Sequence, residues 1–434
     1  MILANQRLQV HLDFGTGVEP LLLGDCLWYA SKKVAAFEWS EQALESGFRL
    51  SPLHMPLRKG LFLAEPAPFG GLHGMLSDSI PDGFGLRLMN KSFVTAGHSL
   101  ASITPVHRLA WVGKRGLGAL SYTPALYAEE PRALMDIADL GTYAANADVE
   151  NFADIPEAAI KAGGSAHGAR PKFWATVHKD GKKIILGDSP DIPIDFSACL
   201  VKFAPAKGDR NEPFYEATCL ALAKKHGVNA ATARLLHHPH GAALAVDRFD
   251  RLPGGGRKVV QSLAALLNDD FRFPKLDYFH LFQVSKILSE TPESERIYRQ
   301  ACFNVALSMR DDHSKNFAFC MDHQGQWKLS PAFDLCPNEG PSGWQTMTVS
   351  EMGDPIDRSH LLKFAEKMGL PPPVASDGID KALSAASEFE ALAVSLGSQK
   401  AGANKWARHF RAIGKGLALT TVLVGGPNAA GKKK

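Results

Sequence analysis

Two acids and an amide in the last third of the sequence have the spacing of a phosphoryl-transfer site. Asp311 stands five residues before Asn316, as the proton-accepting aspartate and the metal-binding asparagine do in the catalytic loop of kinases. Asp334 follows after a segment with the composition of a hairpin. The pattern predicts one base and two oxygen ligands for a metal ion. A helix end, a polar loop and a surface hairpin would contain the same residue types.

The segment between the amide and the last acid predicts how they meet. Residues 317–329 contain an apolar strand-like run, a turn and a second strand-like run. Asn316 and Asp334 are each nine residues from Gly325, so a hairpin centred on Gly325 places them opposite each other. Paired strand residues lie roughly 4.5–5.5 Å apart at Cα, which suits two oxygen donors on one cation.

An upstream lysine and acid have the properties of a pair that holds phosphates. Lys202 lies in the apolar segment 200–203, and Glu216 lies on the apolar side of the next helix. A buried carboxylate is costly unless it is paired, so a Lys202–Glu216 ion pair explains both placements. Glu212 is the alternative partner, although it also suits a helix N-terminus. A lysine in a half-buried strand also commonly points to solvent.

A short Gly-rich segment precedes these elements. Gly163, Gly164 and Gly168 surround Ser165, and small residues let backbone N–H groups approach phosphate oxygens. Ser165 stands where the middle glycine of GxGxxG would be. The segment is a candidate phosphate-binding loop, and a flexible linker is the alternative.

A charged segment separates the strand-rich part of the chain from the helix-rich part. Residues 247–251 read Asp-Arg-Phe-Asp-Arg; as a hinge they would offer backbone groups to an adenine, with Phe249 against the ring. A charged domain boundary is the alternative. Residues 426–433 resemble a P-loop but lack its Ser or Thr and a following helix. Residues 237–240 contain three histidines without cysteine or acidic partners at ligand spacing, which favours a surface loop.

Composition excludes several classes of protein. The 434 residues are 45 % hydrophobic and 21 % charged, as in soluble chains of two or three domains. A net charge of +3 is too small to indicate nucleic-acid binding by charge alone. The six cysteines show no zinc-ligand spacing, which favours reduced, buried thiols. No leader pattern and no apolar run of about 18 residues is present, so a cytoplasmic location without a membrane partner is expected.

The predicted elements form an α+β fold in three parts. Residues 1–125 form an N-terminal β-containing domain, 126–255 a small mixed-sheet lobe with the Gly-rich loop, and 256–434 a helical lobe with the catalytic loop and metal-binding hairpin. The clearest strands are 8–12, 118–122, 173–177, 183–186, 199–203 and 243–246, and the clearest helices are 213–226, 278–288, 293–309 and 361–368. Residues 131–161 are patterned as helix.

Several of these motifs together resemble the HipA family of bacterial serine/threonine kinases, the toxin halves of toxin–antitoxin pairs. The likeness covers nearly the whole chain. Residues 75–83 and 111–120 resemble the family's N-terminal motifs, 163–172 its phosphate loop, 201–203 its ATP-lysine strand, 247–251 its hinge, and 311–316 its D-x-H-x-K-N catalytic loop.

The resemblance implies a protein-kinase-like two-lobed core that uses ATP and Mg²⁺. It implies Asp311 as the base, Asn316 and Asp334 as Mg²⁺ ligands, and Lys202 on the ATP phosphates. The residues expected to bind ATP are Gly163, Gly164, Ser165, Gly168, Lys172, Lys202, Asp247, Phe249 and His313. Ser165 matches a loop serine that family members phosphorylate on themselves, which switches the loop out of its ATP-binding form.

The resemblance also implies partners. It implies growth inhibition through a protein substrate such as an aminoacyl-tRNA synthetase. It further implies a separately encoded helix-turn-helix antitoxin of HipB type, through which alone the chain would meet DNA. Two positions depart from the family: Met309-Arg310 replaces Asn-Thr, and Asp247 replaces Glu. The rival interpretations are a small-molecule kinase on a related scaffold and a catalytically silent corepressor partner of the antitoxin.

Overall fold

The computed structural model describes residues 7–15, 17–127, 134–148, 155–188, 192–205, 208–289 and 291–418. The strands are β1 (Leu8–Leu12), β2 (Leu21–Tyr29), β3 (Val34–Trp39), β4 (Leu61–Leu63), β5 (Leu120–Thr123), β6 (Leu134–Asp136), β7 (Lys172–His178), β8 (Lys183–Leu186), β9 (Phe196–Phe203), β10 (Ala233–His238), β11 (Gly241–Asp247), β12 (Val259–Ser262), β13 (Ala318–Met321) and β14 (Trp327–Leu329). The helices are α1 (Glu41–Ser46), α2 (Gly74–Ser77), α3 (Gly83–Thr95), α4 (Pro105–Val112), α5 (Ile137–Asp148), α6 (Glu157–Gly163), α7 (Glu212–Lys225), α8 (Leu263–Leu267), α9 (Tyr278–Leu288), α10 (Ser294–Ala306), α11 (Arg358–Lys367), α12 (Pro372–Ser395) and α13 (Lys400–Ala418).

The first sheet belongs to the N-terminal unit, which we define as residues 7–127. Its strands lie in the order β4-β3-β2-β1-β5, and every pairing is antiparallel. In β1, Leu8, Val10 and Leu12 are buried while the residues between them are half-exposed, as a strand with one buried face requires. The buried face joins a core that continues into the helices after residue 262.

The second sheet carries the elements that the candidate site needs. Its order is β10-β11-β9-β7-β8-β6, and every pairing described is antiparallel where a mixed sheet was expected. Phe173 and Val201 form its core, and they are joined by Phe84 and Leu88 of α3. The N-terminal unit therefore packs directly into this lobe.

Helices α8 to α13 follow in the helical lobe, where α8 and α9 contact a three-stranded sheet that β12 forms with the hairpin β13–β14. Asp277 is the N-cap residue of helix α9, and its side chain forms a capping box with His280. The predicted helices at 213–226, 278–288, 293–309 and 361–368 are all present with small shifts at their ends. Amphipathic periodicity explains this agreement.

The predicted α+β class is confirmed: a sheet lobe, a helical lobe and an N-terminal β-containing unit. Residues 131–161 differ from the helical prediction because β6 precedes α5 and adds an edge strand to the second sheet. Of the histidine segment 237–240, the first two residues end β10 and the others form a turn. All six cysteines are free, and five of them are buried. The P-loop-like segment 426–433 lies outside the described residues.

No helix in the described part of the chain has the length and apolar character that a membrane span requires.

Candidate active site

A cavity of about 740 Å³ lies between the second sheet and the helical lobe, and the N-terminal unit supplies part of its wall. Ten of the residues singled out in the sequence line it: Gly168, Lys172, Lys202, Glu216, Asp247, Phe249, Asp311, His313, Asn316 and Asp334. Three others, Gly163, Gly164 and Ser165, do not.

Lys202 lies between two carboxylates at the centre of the cavity. Its Nζ is 2.5 Å from Glu216 Oε1 and 2.7 Å from Asp334 Oδ1. Burial opposes the charge of Lys202, but the two carboxylates outweigh it and raise the pKa of the ammonium. Glu212 instead pairs with Arg170 at 2.5 Å. Of the two possible partners, the structure therefore selects Glu216.

Lys172 lies beside Lys202 because the two residues are directly paired across β7 and β9. Its side chain is almost fully buried and has no hydrogen bond or ion pair within the described ranges. Burial is the main cause that lowers the pKa of this ammonium. A buried cation without a partner is unfavourable, so this position favours a bound anion.

Asp334 reaches the cavity through an unusual backbone conformation. Its φ of 57° lies in the left-handed region, which costs a non-glycine residue roughly 1–2 kcal/mol. Burial would raise the pKa of the Asp334 carboxyl, but the positive charges of Lys202 and Lys172 lower it below its usual value. The carboxylate is therefore held ionised next to the two lysines.

Asp311 lies at the mouth of the cavity, where its side chain is 69 % exposed. Desolvation by the surrounding walls and the charge of Asp334 raise the pKa of its carboxyl, and His313, 3.8 Å away, opposes them. Asn316 donates from Nδ2 to the Asp311 carbonyl oxygen at 2.7 Å. Its Oδ1 has no hydrogen bond to any residue described, so an amide oxygen is available beside the carboxylate.

The hairpin is present, but its centre differs from the prediction. Cys320 pairs with Lys328, which centres the hairpin on Gln324 rather than Gly325. The cause is the turn, in which the Asp322 carboxylate accepts the N–H groups of Gln324 and Gln326. Asn316 therefore lies in a separate 3₁₀ turn (Ser314–Asn316) before β13, and it does not pair with Asp334 as expected; both residues reach the cavity wall independently.

The first part of the Gly-rich segment lies behind the cavity. Gly163 ends α6, and a side chain there would collide with Leu88, while one at Gly164 would collide with Trp111. Ser165 is only 1 % exposed. In this conformation these three residues do not line the cavity, and their contact with ATP stays a prediction. The loop lines the cavity with His167, Gly168, Ala169 and Arg170.

The charged segment 247–251 has two roles. Asp247 and Phe249 line the cavity, and the Phe249 ring lies 5.6 Å from that of Phe333. Asp250 also lines the cavity, and its carboxylate is buried in an ion pair with Arg251. The apolar wall near them, much of it not identified from the sequence, consists of Leu117, Trp174, Leu200, Leu244, Val246, Val260 and Phe333.

Asp312 is a residue of the predicted catalytic loop that the spacing did not distinguish. It is buried and accepts hydrogen bonds from the Tyr278 hydroxyl at 2.7 Å, Gln345 Nε2 at 3.0 Å and Thr346 N at 2.9 Å. Burial raises the pKa of Asp312 to about 7, against the effect of these donors. The side chain thus ties the catalytic loop to the segment after Asp334.

Asp82 of the N-terminal unit was also missed, and it lines the cavity. Its carboxylate is 2.7 Å from Lys315 Nζ. Burial opposes its ionisation, but His167 and Lys315 hold the pKa of Asp82 well below its ordinary value. Asp82 belongs to the motif at residues 75–83, but it lies 86 residues before Gly168, which it contacts, so no local pattern indicates that it faces the cavity.

The arrangement can hold a polyanion and a cation. No three His, Cys, Asp or Glu side chains converge as a metal site among the residues described. A metal ion here would therefore take Asn316 and Asp334 as ligands and oxygen atoms of a bound phosphate as the others, the pattern usual for Mg²⁺.

Comparison with known proteins gives consistent matches along the chain. The model of the HipA N-terminal domain matches residues 23–123, and that of the HipA-like C-terminal domain matches residues 164–389. A serine/threonine-protein kinase toxin HipA of Shewanella oneidensis is 22 % identical over 406 residues, covering 84 % of each chain. A putative kinase of Sinorhizobium fredii, Y4dM, is 31 % identical over 98 residues, which cover 22 % of this chain and 24 % of that one.

A solved structure has the same fold. It is the Shewanella oneidensis complex of HipA, HipB and operator DNA, with a TM-score of 0.66, 18 % identity, and coverage of 94 % of this chain and 95 % of that chain.

Proposed function

The chain belongs to the HipA family, and from that premise we propose that it is an ATP- and Mg²⁺-dependent serine/threonine protein kinase of the HipA toxin type. The observation that supports this most strongly is the group of charges in one cavity. Lys202 is held by Glu216 and Asp334, and Lys172 beside it has no partner in the described part of the chain. Two adjacent lysines at the end of an apolar cleft suit the phosphates of a nucleotide.

The apolar wall of the cavity suits an adenine. Phe249 and Phe333 present two rings there, and Asp247 is the last residue of β11, where it pairs with Cys199 of β9. Because the carboxylate of Asp247 already accepts from Arg234 at 3.1 Å, backbone groups of the hinge would contact the base rather than this side chain.

The catalytic step would use groups at the mouth of the cavity. Asp311 would accept the proton of a substrate hydroxyl, because it is exposed there and lies close to Asn316. Asn316 Oδ1 and the Asp334 carboxylate would hold Mg²⁺, which when bound neutralises charge on the transferring phosphate. Lys202 would orient the phosphates, and Glu216 would keep its ammonium in place.

Ser165 is the proposed site of autophosphorylation. It is buried and its hydroxyl has no hydrogen-bond partner in the described structure, so the loop must leave this conformation before Ser165 can be modified. A phosphate adds about −1.5 to −2 charges, which the buried position of Ser165, 1 % exposed, cannot accommodate without partners. Phosphorylation would thereby hold the loop open and weaken ATP binding.

The proposed partners follow the family. The solved relative is a complex of HipA with HipB and operator DNA, and we extend that arrangement to a separately encoded antitoxin of HipB type. Growth inhibition would follow from phosphorylation of a translation-related protein such as an aminoacyl-tRNA synthetase.

The experiment is intact-mass spectrometry after incubation with ATP and Mg²⁺, followed by peptide mapping. Wild type should gain phosphate on Ser165, and Asp311→Ala should gain none while remaining folded, because Asp311 is mostly exposed. The matched control is Glu366→Ala, which removes an exposed acid on α11 and should phosphorylate normally.

Three other outcomes would change the proposal. Phosphate on another residue would remove the role of Ser165 but keep the kinase. Consumption of ATP only with metabolites would favour a small-molecule kinase. Full activity in folded Asp311→Ala would contradict the assigned base.

A further inference from the structure

A segment of the N-terminal unit holds the Gly-rich loop on both sides of one glycine. Gly168 donates its N–H to Asp82 Oδ1, and Phe84 donates its N–H to the Gly168 carbonyl oxygen at 2.9 Å. His167 Nε2 donates to the Asp78 carbonyl oxygen at 2.6 Å. The part of the loop that faces the cavity is therefore attached to residues 78–84.

The same carboxylate contacts the catalytic loop. Asp82 Oδ2 lies 2.7 Å from Nζ of Lys315, which stands between Asp311 and Asn316 in the sequence. The ammonium also lies 5.0 Å from the centre of the Phe271 ring, a cation–π distance. One side chain of the N-terminal unit thus bridges the two loops that border the phosphate end of the cavity.

Gly83 provides an independent sign that this contact is built into the chain. It has a φ of +47°, and a Cβ there would lie 2.6 Å from the Gly168 carbonyl oxygen. Only glycine permits that approach. The segment is also anchored at its start, because Asp78 accepts from Ser262 N at 2.6 Å and Ser262 Oγ at 2.8 Å.

We infer that Asp82 is a positioning residue of the nucleotide site, which fixes the Gly-rich loop through Gly168 and the catalytic loop through Lys315. Its effect on nucleotide affinity rests on the function proposed above, whereas its effect on the loop is a property of the ligand-free chain. A loop that is ordered in advance pays less conformational entropy when it binds. The N-terminal unit is then part of the nucleotide-binding machinery.

Three variants separate the contribution of the contact with Gly168 from that of the contact with Lys315. Asp82→Asn keeps an acceptor for Gly168 and removes the charge facing Lys315, whereas Asp82→Ala removes both. Gly83→Ala displaces the loop and leaves the carboxylate intact. The control is Glu38→Gln, an exposed acid on β3 outside the site.

The first measurement is hydrogen exchange of the peptide that contains residues 163–172, in protein without nucleotide. Exchange should be faster in Asp82→Ala and Gly83→Ala, intermediate in Asp82→Asn and unchanged in Glu38→Gln. The second is calorimetric binding of a non-hydrolysable ATP analogue with Mg²⁺, which should weaken about tenfold in Asp82→Ala and Gly83→Ala. Thermal unfolding midpoints verify that the variants are folded.

Failure of this inference and failure of the proposed function give different results. Wild-type exchange in both Asp82→Ala and Gly83→Ala would overturn the inference, and so would tighter binding in Asp82→Ala, since Asp82 would then be an anion that competes with phosphate. If Asp82→Ala does not fold, Asp82→Asn decides by the same two readouts. Failure of wild type to bind the analogue would reject the proposed function. Hydrogen exchange in the protein without nucleotide would still test the contact between Asp82 and the Gly-rich loop.

Discussion

At the scale of single residues, the central lysine shows how charge and burial decide a site. Lys202 and Glu216 are both largely buried, and each would be unfavourable alone. Asp334 adds a second carboxylate to the same ammonium. Burial raises the pKa of Glu216, and Lys202 opposes that rise, so the pair is stable only as a unit.

We expect Lys202→Met and Glu216→Gln each to lower phosphorylation strongly, because the first leaves Glu216 without its cation and the second leaves Lys202 with Asp334 alone. The double variant should be little worse than the worse single one, since residues that act as a unit are not additive. Rates are measured by incorporation of labelled phosphate. Glu212→Gln is the matched control on the same helix. The Glu212 carboxylate pairs with Arg170, so its loss should leave the dependence of phosphorylation on Lys202 unchanged. Additive losses in the double variant would disprove the functional pairing.

The sequence allowed the prediction of this pair because a charged residue among apolar neighbours is locally visible. It did not indicate that Lys172 lacks a partner within the described residues, or that Asp82 and Asp312 each connect segments that are distant in the sequence. Asp312 contacts Gln345 and Thr346, which are distant in the sequence, and Lys172 is significant only because β7 and β9 place it beside Lys202. Contacts of this kind depend on tertiary pairing, which one sequence does not encode locally.

At the scale of elements, helices were predicted better than strands. Helix α9 has the predicted bounds because its apolar period is regular. Strands β2 and β3 were missed because their apolar runs do not alternate simply, and β2 contains an irregularity opposite Val10 and His11. The hairpin was predicted from its turn, but the turn hydrogen bonds at Asp322 moved its centre by one residue.

The contact between helix α2 and the first sheet predicts a pH dependence of stability. His73 precedes α2, is buried, and donates from Nε2 to the Phe62 carbonyl oxygen at 3.1 Å. Burial lowers the pKa of His73 to about 4, although the Phe62 hydrogen bond opposes this. The unfolded chain takes up a proton near pH 6.5 and the folded chain does not, so acidification favours unfolding between these values.

We therefore expect His73 to lower the free energy of unfolding by about 2 kcal/mol as the pH falls from about 7 to about 5. The measurement is urea unfolding of wild type and His73→Gln at several pH values, compared with His323→Gln in the exposed turn of the hairpin. The wild type and the His323 variant should lose stability in parallel, and His73→Gln should lose less. Parallel curves for all three would contradict a neutral, buried His73.

At the scale of the whole molecule, one buried ion-pair network joins the predicted hinge, the sheet lobe and the N-terminal unit. Asp250 Oδ2 accepts from Arg248 and Arg251, each at 2.7 Å, and from the Gly118 N–H at 2.8 Å. Asp188 adds a second carboxylate, 2.6 Å from Arg251. The hinge, the sheet lobe and the N-terminal unit therefore share the same charges. The sequence indicated a hinge or a charged boundary at residues 247–251 but not this network, because the partners are far apart along the chain.

We expect Asp250→Asn to destabilise the protein by about 3–5 kcal/mol, because it leaves two buried guanidinium groups with one carboxylate between them. Calorimetric unfolding at constant pH measures the loss. The control is Asp195→Asn, which breaks an ion pair with Lys179. Both side chains of that pair are more than half exposed, and solvent screens such pairs, so the unfolding midpoint should be unchanged. Since Asp250 also binds Gly118, exchange at β5 should rise along with exchange at the hinge. If Asp250→Asn unfolds at the wild-type midpoint, the network does not hold the three parts together.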